Sequence, residues 1–242
     1  MSVTFSTHCH AGDRDKLYSN LNTMTKSHGY EFDEYHIAHQ RCGRGIFNIF
    51  YQYKPITLSE IKEEDYDRLL EKFGLPIEDK EADRLTHGKN SAHYWKNHIV
   101  NHLSGVENCN TDYIVFSDSD CVMVRNEPRS WIEEGIKILQ SYPSVFIVSP
   151  SDGAPGRQWI ASQQLFLCET NKLKTMDFNC WDGVPIDGGP MIEFYFMLEG
   201  RISMFMREHG LCRVVLPDNW RYHHDWIHHP ETYGYDLPEG LV

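Results

Sequence analysis

Two carboxylates follow directly on an apolar segment in the middle of the chain. Residues 113–116 (Tyr-Ile-Val-Phe) form a continuous apolar run, and Asp118 and Asp120 come just after it. Because side chains on an extended backbone alternate between faces, these two carboxylates are expected to point the same way. Neighbouring negative charges repel each other unless a positive charge lies beside them. A hard divalent cation provides this charge, and a diphosphate can complete the coordination shell of the cation. The alternative is an acidic turn with solvated carboxylates, and the position at the end of a buried strand leaves both interpretations open.

A second group of candidate ligands lies near the end of the printed sequence. Four histidines fall within seven residues, at His223, His224, His228 and His229. Imidazole is a good ligand for Mn²⁺ or Zn²⁺, so this segment is predicted to have an affinity for metal. Surface or packing roles are the alternative, and we favour them for His228 and His229.

The elements that must position these residues alternate between strands and helices. Strands are predicted at 2–9, 30–37, 113–116, 145–148, 164–168 and 214–216, and helices at 13–27, 91–103, 190–209 and after the Ser130-x-x-Glu133 capping box. Such alternation predicts an α/β fold with a doubly wound, mostly parallel central sheet. Ligands of such sheets bind at the carboxyl ends of the strands, where the Asp-x-Asp segment lies.

The chain is predicted to form one domain over residues 1–242. Residues 43–88 are interpreted as a helical insertion, with Thr57-x-x-Glu60 as a capping box and a charged helix ending near Gly74. Residues 218–242 form a His-rich tail that is expected to close the site.

Composition limits the classes of partner. The formal net charge of −12 argues against nucleic acid or an anionic membrane as the main partner, because a negatively charged protein repels a phosphate-rich surface. No apolar run reaches the roughly 18–20 residues of a membrane span, and no secretory signal is recognisable. The seven cysteines contain no Cys-x-x-Cys pair, which favours free thiols in a reducing cytosol. We therefore expect a cytoplasmic protein without a transmembrane segment, and the sequence leaves its oligomeric state open.

Residues 87–120 resemble the glycosyltransferases of the GT-A fold. Residues 87–100 read His-Gly-Lys-Asn-Ser-Ala-His-Tyr-Trp-Lys-Asn-His-Ile-Val, and residues 111–120 read Thr-Asp-Tyr-Ile-Val-Phe-Ser-Asp-Ser-Asp. Both are similar to the family pattern of a Gly/Asn turn, a helix with a basic residue before Asn, and a strand ending in Asp-x-Asp. The resemblance implies a Rossmann-like nucleotide-diphospho-sugar transferase fold. It also implies a UDP- or GDP-sugar donor and a glycan or other hydroxyl acceptor.

The same resemblance assigns roles to the central residues. Lys96 and Asn97 fall where the family has Arg-Asn near the nucleotide diphosphate. Asp118 would lie near the ribose and beside the metal, and Asp120 would bind Mn²⁺ or Mg²⁺. A surface lysine on an amphipathic helix is the alternative for Lys96, and the Asp-x-Asp segment downstream favours the donor contact.

Both ends of the chain contribute further expected contacts. Residues 6–14 (Ser-Thr-His-Cys-His-Ala-Gly-Asp-Arg) are similar to the family's first strand and nucleotide-contacting loop, which implies donor contacts for Thr7, His8 and Arg14. Many GT-A enzymes complete the metal site with a histidine beyond the last core strand. One of His223 and His224 would then join Asp120, since neighbours on an extended segment face opposite ways, and we favour His224.

The base that would deprotonate the acceptor is expected near a Gly/Pro-rich loop at residues 181–190, which opens a helix. Inverting members of the family keep an acidic residue there, which makes Asp187 and Glu193 the catalytic candidates and Glu199 a third. Charge complementarity with the helix N-terminus is the alternative for each carboxylate. The usual paired acidic motif is missing, so inverting and retaining chemistry both stay open. Side chains whose type suits sugar or anion contacts are Arg157, Trp159 and Trp181, and core packing is the alternative for the two tryptophans.

Three rival functions share some of these features. A sugar nucleotidyltransferase has the same architecture, but residues 2–14 lack its Gly-rich opening segment. A metal-dependent hydrolase fits the Asp and His clusters, but it usually needs more ligands in paired motifs, and the sequence has no His-Glu-x-x-His motif. A carbohydrate-binding protein without catalysis is the third, and binding of sugar alone without nucleotide and Mn²⁺ would favour it.

Overall fold

The computed structural model describes residues 1–10, 14–42, 55–75, 91–125, 127–152, 161, 164–179 and 198–224. The strands are β1 (Val3–His10), β2 (Glu34–Gln40), β3 (Ile56–Glu60), β4 (Tyr113–Ser117), β5 (Val122–Arg125), β6 (Val145–Ser149), β7 (Leu165–Glu169), β8 (Cys212–Val215) and β9 (Arg221–His223). The helices are α1 (Arg14–Ser27), α2 (Glu63–Lys72), α3 (Ser91–Asn108), α4 (Trp131–Ser141), α5 (Thr170–Thr175) and α6 (Leu198–Glu208).

A central sheet organises the described residues. Its strand order is β3-β2-β1-β4-β7-β6-β8, and β5 and β9 form a separate two-stranded ribbon. The pairs β1–β2, β1–β4, β2–β3 and β6–β8 are parallel, whereas β7 runs antiparallel to both of its neighbours. The predicted mostly parallel α/β sheet is therefore confirmed. The reversal at β7 was not anticipated, because an apolar run shows that a strand is buried without showing its direction.

Helices cover the sheet on both faces. All five residues of β4 are buried, and its four apolar residues alternate between two apolar clusters. Val115 belongs to the cluster that contains α1 and α4, whereas Ile114 and Phe116 belong to the cluster that contains α2, α3 and α6. This two-residue alternation explains why β4 reads as a continuous apolar run: each successive side chain enters a different core layer.

Local signals fix several helix ends. At α4 the predicted capping box is present: Ser130 Oγ accepts a bond from the backbone N of Glu133, and Ser130 N donates to Glu133 Oε2 over 3.1 Å. Gly29, Gly74 and Gly210 follow three helices in left-handed conformations, with φ of 59°, 69° and 64°. Residues with a Cβ rarely adopt this conformation, so glycine marks these helix ends.

The capping box predicted at Thr57 and Glu60 was wrong. Both residues lie in β3, which pairs with β2 at the edge of the central sheet. Helix α2 instead begins after Lys62, whose backbone N donates to Asp65 Oδ2 over 3.0 Å. The motif contains only two residue types at a fixed spacing, and here the pairing of β3 with the sheet determines the local structure. The segment 55–75 therefore adds a strand as well as a helix, whereas the rest of residues 43–88 lies outside the described residues.

Two further expectations concern membranes and thiols. Among the helices that the structure describes, none combines the length and the apolar character needed to cross a bilayer. Six of the seven cysteines lie in described segments, and all six are free thiols.

Candidate functional site

The Asp-x-Asp segment forms a tight turn at the carboxyl end of β4. Asp118 N donates to Gln164 O over 2.7 Å, and Cys121 N donates back to Asp118 O over 3.2 Å. These bonds hold the turn against the start of β7 and lead the chain directly into β5. Asp120 is 8% exposed and Asp118 is partly buried. Two carboxylates placed so close together outside bulk water favour a cation beside them.

The third candidate ligand arrives on the β5–β9 ribbon. Val122 in β5 pairs antiparallel with His223 in β9, so the next residue, His224, comes level with the turn that precedes β5. His224 Nε2 lies 3.3 Å from Asp120 Oδ1 and 3.7 Å from Asp118 Oδ2. We call Asp118, Asp120 and His224 the first ligand group, since one ligand atom from each lies within 4.8 Å of the others.

His223 occupies a different environment from its neighbour. It is paired with Val122 in the ribbon, and it is not a member of either ligand group found among the described residues. Burial, together with the positive charge of Arg221, lowers the pKa of His223 below its usual value. The structure therefore brings His224 to the carboxylates and places His223 in the ribbon, with neighbouring side chains on opposite faces.

Tyr222 connects the ribbon to the Asp-x-Asp turn. Its side chain is 1% exposed, and its hydroxyl donates to Gln164 Oε1 over 3.0 Å. The backbone carbonyl of the same Gln164 accepts the bond from Asp118 N. Gln164 thus contacts both the turn that holds the carboxylates and the strand that holds the imidazole. Neither residue was singled out from the sequence, because a lone Tyr and a lone Gln give no signal before the chain is folded.

A second ligand group adjoins the first. The parallel pairing of Ser6 with Phe116, continued by two residues, brings His8 on β1 level with Asp118. His102 on α3 approaches from the helix layer, and ligand atoms of His8, His102 and Asp118 all lie within 4.8 Å of one another. We call these three residues the second ligand group. Asp118 belongs to both groups.

His102 is a residue that sequence reasoning missed. It was not singled out because histidines within helices are usually packing residues. The signal was its place in a helix predicted to cover the sheet, close to Ile99 and Leu103 on the apolar stripe. Only the folded chain shows that this position faces the carboxyl end of β1.

Four further residues with expected donor contacts lie in the described segments, and the structure describes the side chain of one of them, Thr7. Thr7 is buried on β1, one residue before His8. Arg14 begins α1, and Lys96 and Asn97 lie in the first half of α3, while their side chains fall outside what the structure describes. Their contact with a donor stays a prediction.

Most of the acceptor-side candidates lie outside the described residues. These are Asp187 and Glu193, with Arg157, Trp159 and Trp181, and likewise His228 and His229 in the tail. Glu199 is described in the first turn of α6, and its negative charge acts to raise the pKa of Arg213, which burial lowers. Of the ligand groups found in the described segments, neither includes Glu199.

Comparison with known proteins identifies the fold. No protein-family model and no curated protein sequence matches the chain. TarS from S. aureus (residues 1–349) aligns over 99% of this chain and 67% of its own, with a TM-score of 0.52 and 12% sequence identity. This similarity shows the fold, and the expected GT-A architecture is confirmed.

Two further solved structures align with lower scores. Mannosyltransferase PcManGT from Pyrobaculum calidifontis, in complex with GDP-Man and Mn²⁺, aligns over 90% of this chain and 55% of its own, with a TM-score of 0.48 and 14% identity. Glucosyl-3-phosphoglycerate synthase from Mycobacterium tuberculosis, in complex with Mn²⁺, UDP and phosphoglyceric acid, aligns over 92% of this chain and 70% of its own, with a TM-score of 0.46 and 10% identity. The chain thus spans about half the length of the mannosyltransferase structure.

Proposed function

We propose that this chain is a metal-dependent glycosyltransferase that moves a sugar from a nucleotide-diphosphate donor to a hydroxyl acceptor. The observation that carries the proposal is the convergence of Asp118, Asp120 and His224 at the carboxyl end of β4. In doubly wound folds this end of the sheet is where ligands bind. The GT-A architecture supports the proposal, because it is the fold that the sequence resemblance implies for a nucleotide-sugar transferase.

The first ligand group fits a hard divalent cation. Two carboxylate oxygens and one imidazole nitrogen are donors that Mn²⁺ accepts, and Mg²⁺ also accepts the oxygens. Three protein ligands leave coordination positions for phosphate oxygens. A cation bound here would supply positive charge to offset the charge of the departing nucleoside diphosphate. Asp118, Asp120 and His224 would hold the ion, and the burial of Asp120 excludes part of the solvent.

The nucleoside is assigned to the carboxyl end of β1. Thr7 and His8 lie on β1 next to Asp118, which we place beside the ribose. Lys96, Asn97 and Arg14 are proposed to contact the diphosphate, because positive charge and amide donors there complement an anionic ligand. In a chain with a net charge of −12, such local groups and the metal have to overcome the general repulsion of anions.

The acceptor is a glycan or another hydroxyl compound, and its base is proposed to be Asp187 or Glu193. A carboxylate in this role needs hydrogen-bond reach to the acceptor hydroxyl and no metal of its own. We place the reaction in the cytosol, and the free thiols of the six described cysteines support this location.

The test is release of nucleoside diphosphate from a panel of UDP- and GDP-sugars, measured with Mn²⁺ and with chelator. We expect release with at least one donor, a requirement for metal, and a loss of about 100-fold or more in Asp120→Asn. Asp67→Asn is the matched control, because Asp67 is an exposed carboxylate on α2 outside both ligand groups. Asp187→Asn and Glu193→Gln are expected to bind donor and to lose transfer.

Two results would contradict the proposal. One is metal-independent release at the parent rate. The other is an Asp120→Asn variant that releases nucleoside diphosphate as fast as Asp67→Asn does. Binding of free sugars without nucleotide or metal would instead favour a carbohydrate-binding protein.

A further inference from the structure

We propose that His8, His102 and Asp118, the second ligand group, form a second cation site for a borderline divalent metal of the Zn²⁺ class. The proposal goes beyond the glycosyltransferase function, because it concerns binding of the metal ion by itself. Two imidazoles and one carboxylate are a donor set typical of Zn²⁺ and similar transition metals. The three ligands come from β1, α3 and the end of β4, so the folded chain assembles them.

The spacing of the ligand atoms suits one shared ion. Ligands of a tetrahedral Zn²⁺ bonded at about 2.0–2.1 Å lie about 3.4 Å from one another. The ligand atoms of the second group already lie within 4.8 Å of one another. To share one ion, the ligand atoms therefore have to approach one another by no more than about 1.4 Å. A fourth position stays open for water or for an oxygen of a bound ligand.

Packing holds the histidines at this position. The rings of His8 and His102 have centroids 5.3 Å apart, and the His102 ring lies 5.5 Å from the ring of Phe116. His102 is 4% exposed, on a helix that packs against the sheet. A ring confined in this way loses little conformational entropy when it binds an ion, which favours affinity.

The two ligand groups differ in chemistry and share one residue. The first group has two carboxylates and one imidazole, whereas the second has one carboxylate and two imidazoles. Oxygen-rich sites suit Mn²⁺ and Mg²⁺, and nitrogen-rich sites suit Zn²⁺ and Co²⁺. Because Asp118 has two carboxylate oxygens, it can ligate both ions. Ions that act as a pair in two-metal sites lie about 3.5–4 Å apart, and here they would place positive charge on both sides of Asp118.

The test is a titration of the full chain with Co²⁺ alone, without nucleotide, followed by visible absorption and equilibrium dialysis. Four-coordinate Co²⁺ at a nitrogen-containing site absorbs much more strongly than six-coordinate Co²⁺ at an oxygen-rich site, so the two groups give distinct signals. We expect His102→Asn to bind about one Co²⁺ fewer than the parent and to lose the strong absorption, with the Zn²⁺ Kd raised at least about tenfold. Asp120→Asn is expected to keep the strong absorption.

His209→Asn is the matched control, because His209 is an exposed histidine at the end of α6, outside both ligand groups. All other histidines are present in both the parent and His102→Asn. The difference in bound Co²⁺ between these two proteins therefore measures the second site alone. If circular dichroism shows that His102→Asn does not fold, His8→Asn takes its place, because His8 is partly exposed. We expect His8→Asn to show the same loss of Co²⁺ binding and of strong absorption.

Equal Co²⁺ stoichiometry and equal absorption in the parent, His102→Asn and His8→Asn would overturn the proposal. The two histidines would then not be metal ligands, and the proposed contact of His8 with the nucleoside would be unaffected. Because no nucleotide-sugar is present in this experiment, that result would leave the proposed transferase function untouched. Likewise, an absence of nucleoside diphosphate release in the transferase assay would not change the interpretation of the Co²⁺ titration.

Discussion

At the scale of single residues, His223 and His224 show how neighbouring identical side chains acquire different roles. His224 reaches both carboxylates, at 3.3 and 3.7 Å, whereas His223 pairs with Val122 in the ribbon. The difference comes from the alternation of side chains along β9 and its extension. A substitution at each position therefore separates the proposed metal ligand, His224, from a neighbouring histidine.

We predict that His224→Asn raises the Kd for Mn²⁺ by about 10–100-fold, because one of three protein ligands is lost. His223→Asn is expected to change it less than about threefold, since His223 is outside the first ligand group. The measurement is the signal of free Mn²⁺ in electron paramagnetic resonance during a titration. If His223→Asn had the larger effect, the assignment of His224 would be wrong.

At the scale of secondary structure, the position of the imidazole depends on the β5–β9 ribbon and on its link to β7. Tyr222 in the ribbon donates to the side chain of Gln164, and Asp118 donates to the backbone of the same residue. This link helps the ribbon to hold His224 beside the carboxylates. Loosening the link should affect the metal site more than it affects the core.

We predict that Tyr222→Phe destabilises the fold by about 1 kcal/mol and also weakens Mn²⁺ binding, since the hydroxyl bond to Gln164 is lost. Tyr113→Phe is the matched control: its hydroxyl accepts a bond from Gln140 Nε2 over 3.2 Å at the opposite end of β4. Chemical denaturation is expected to show a similar loss in both variants. Equal Mn²⁺ affinity in the two variants would contradict a positioning role for Tyr222.

The sequence predicts the elements better than it predicts their assembly. Local signals, such as the capping box at Ser130 and the glycines after the helices, are confirmed because they act within a few residues. The box at Thr57 failed, since pairing of β3 with β2 determines the structure there. The direction of β7 and the ribbon are long-range pairings, and no local pattern encodes them.

For the site, the sequence alone predicts the two carboxylates and narrows the histidine ligand to His223 or His224. Asp118 and Asp120 stand out because they follow an apolar strand, a pattern within one short segment. His102 and Gln164 do not stand out, because each reaches the site from a distant part of the chain. The second ligand group is thus a property of the fold.

At the scale of the whole molecule, the proposed function requires an acidic chain to hold an anionic donor. The net charge of −12 repels a nucleoside diphosphate at long range, and the carboxylates of the first ligand group add to this repulsion locally. A bound divalent cation reverses the sign of the local charge. Metal binding and nucleotide binding are therefore expected to be coupled, each strengthening the other.

Calorimetric titration of UDP and GDP into the full chain tests this coupling most directly. With Mn²⁺ present, we predict binding of at least one of the two nucleotides. With chelator, or in Asp120→Asn, the Kd should rise by at least about tenfold, which corresponds to about 1.4 kcal/mol. Nucleotide affinity that is the same with Mn²⁺, with chelator and in Asp120→Asn would contradict the central claim.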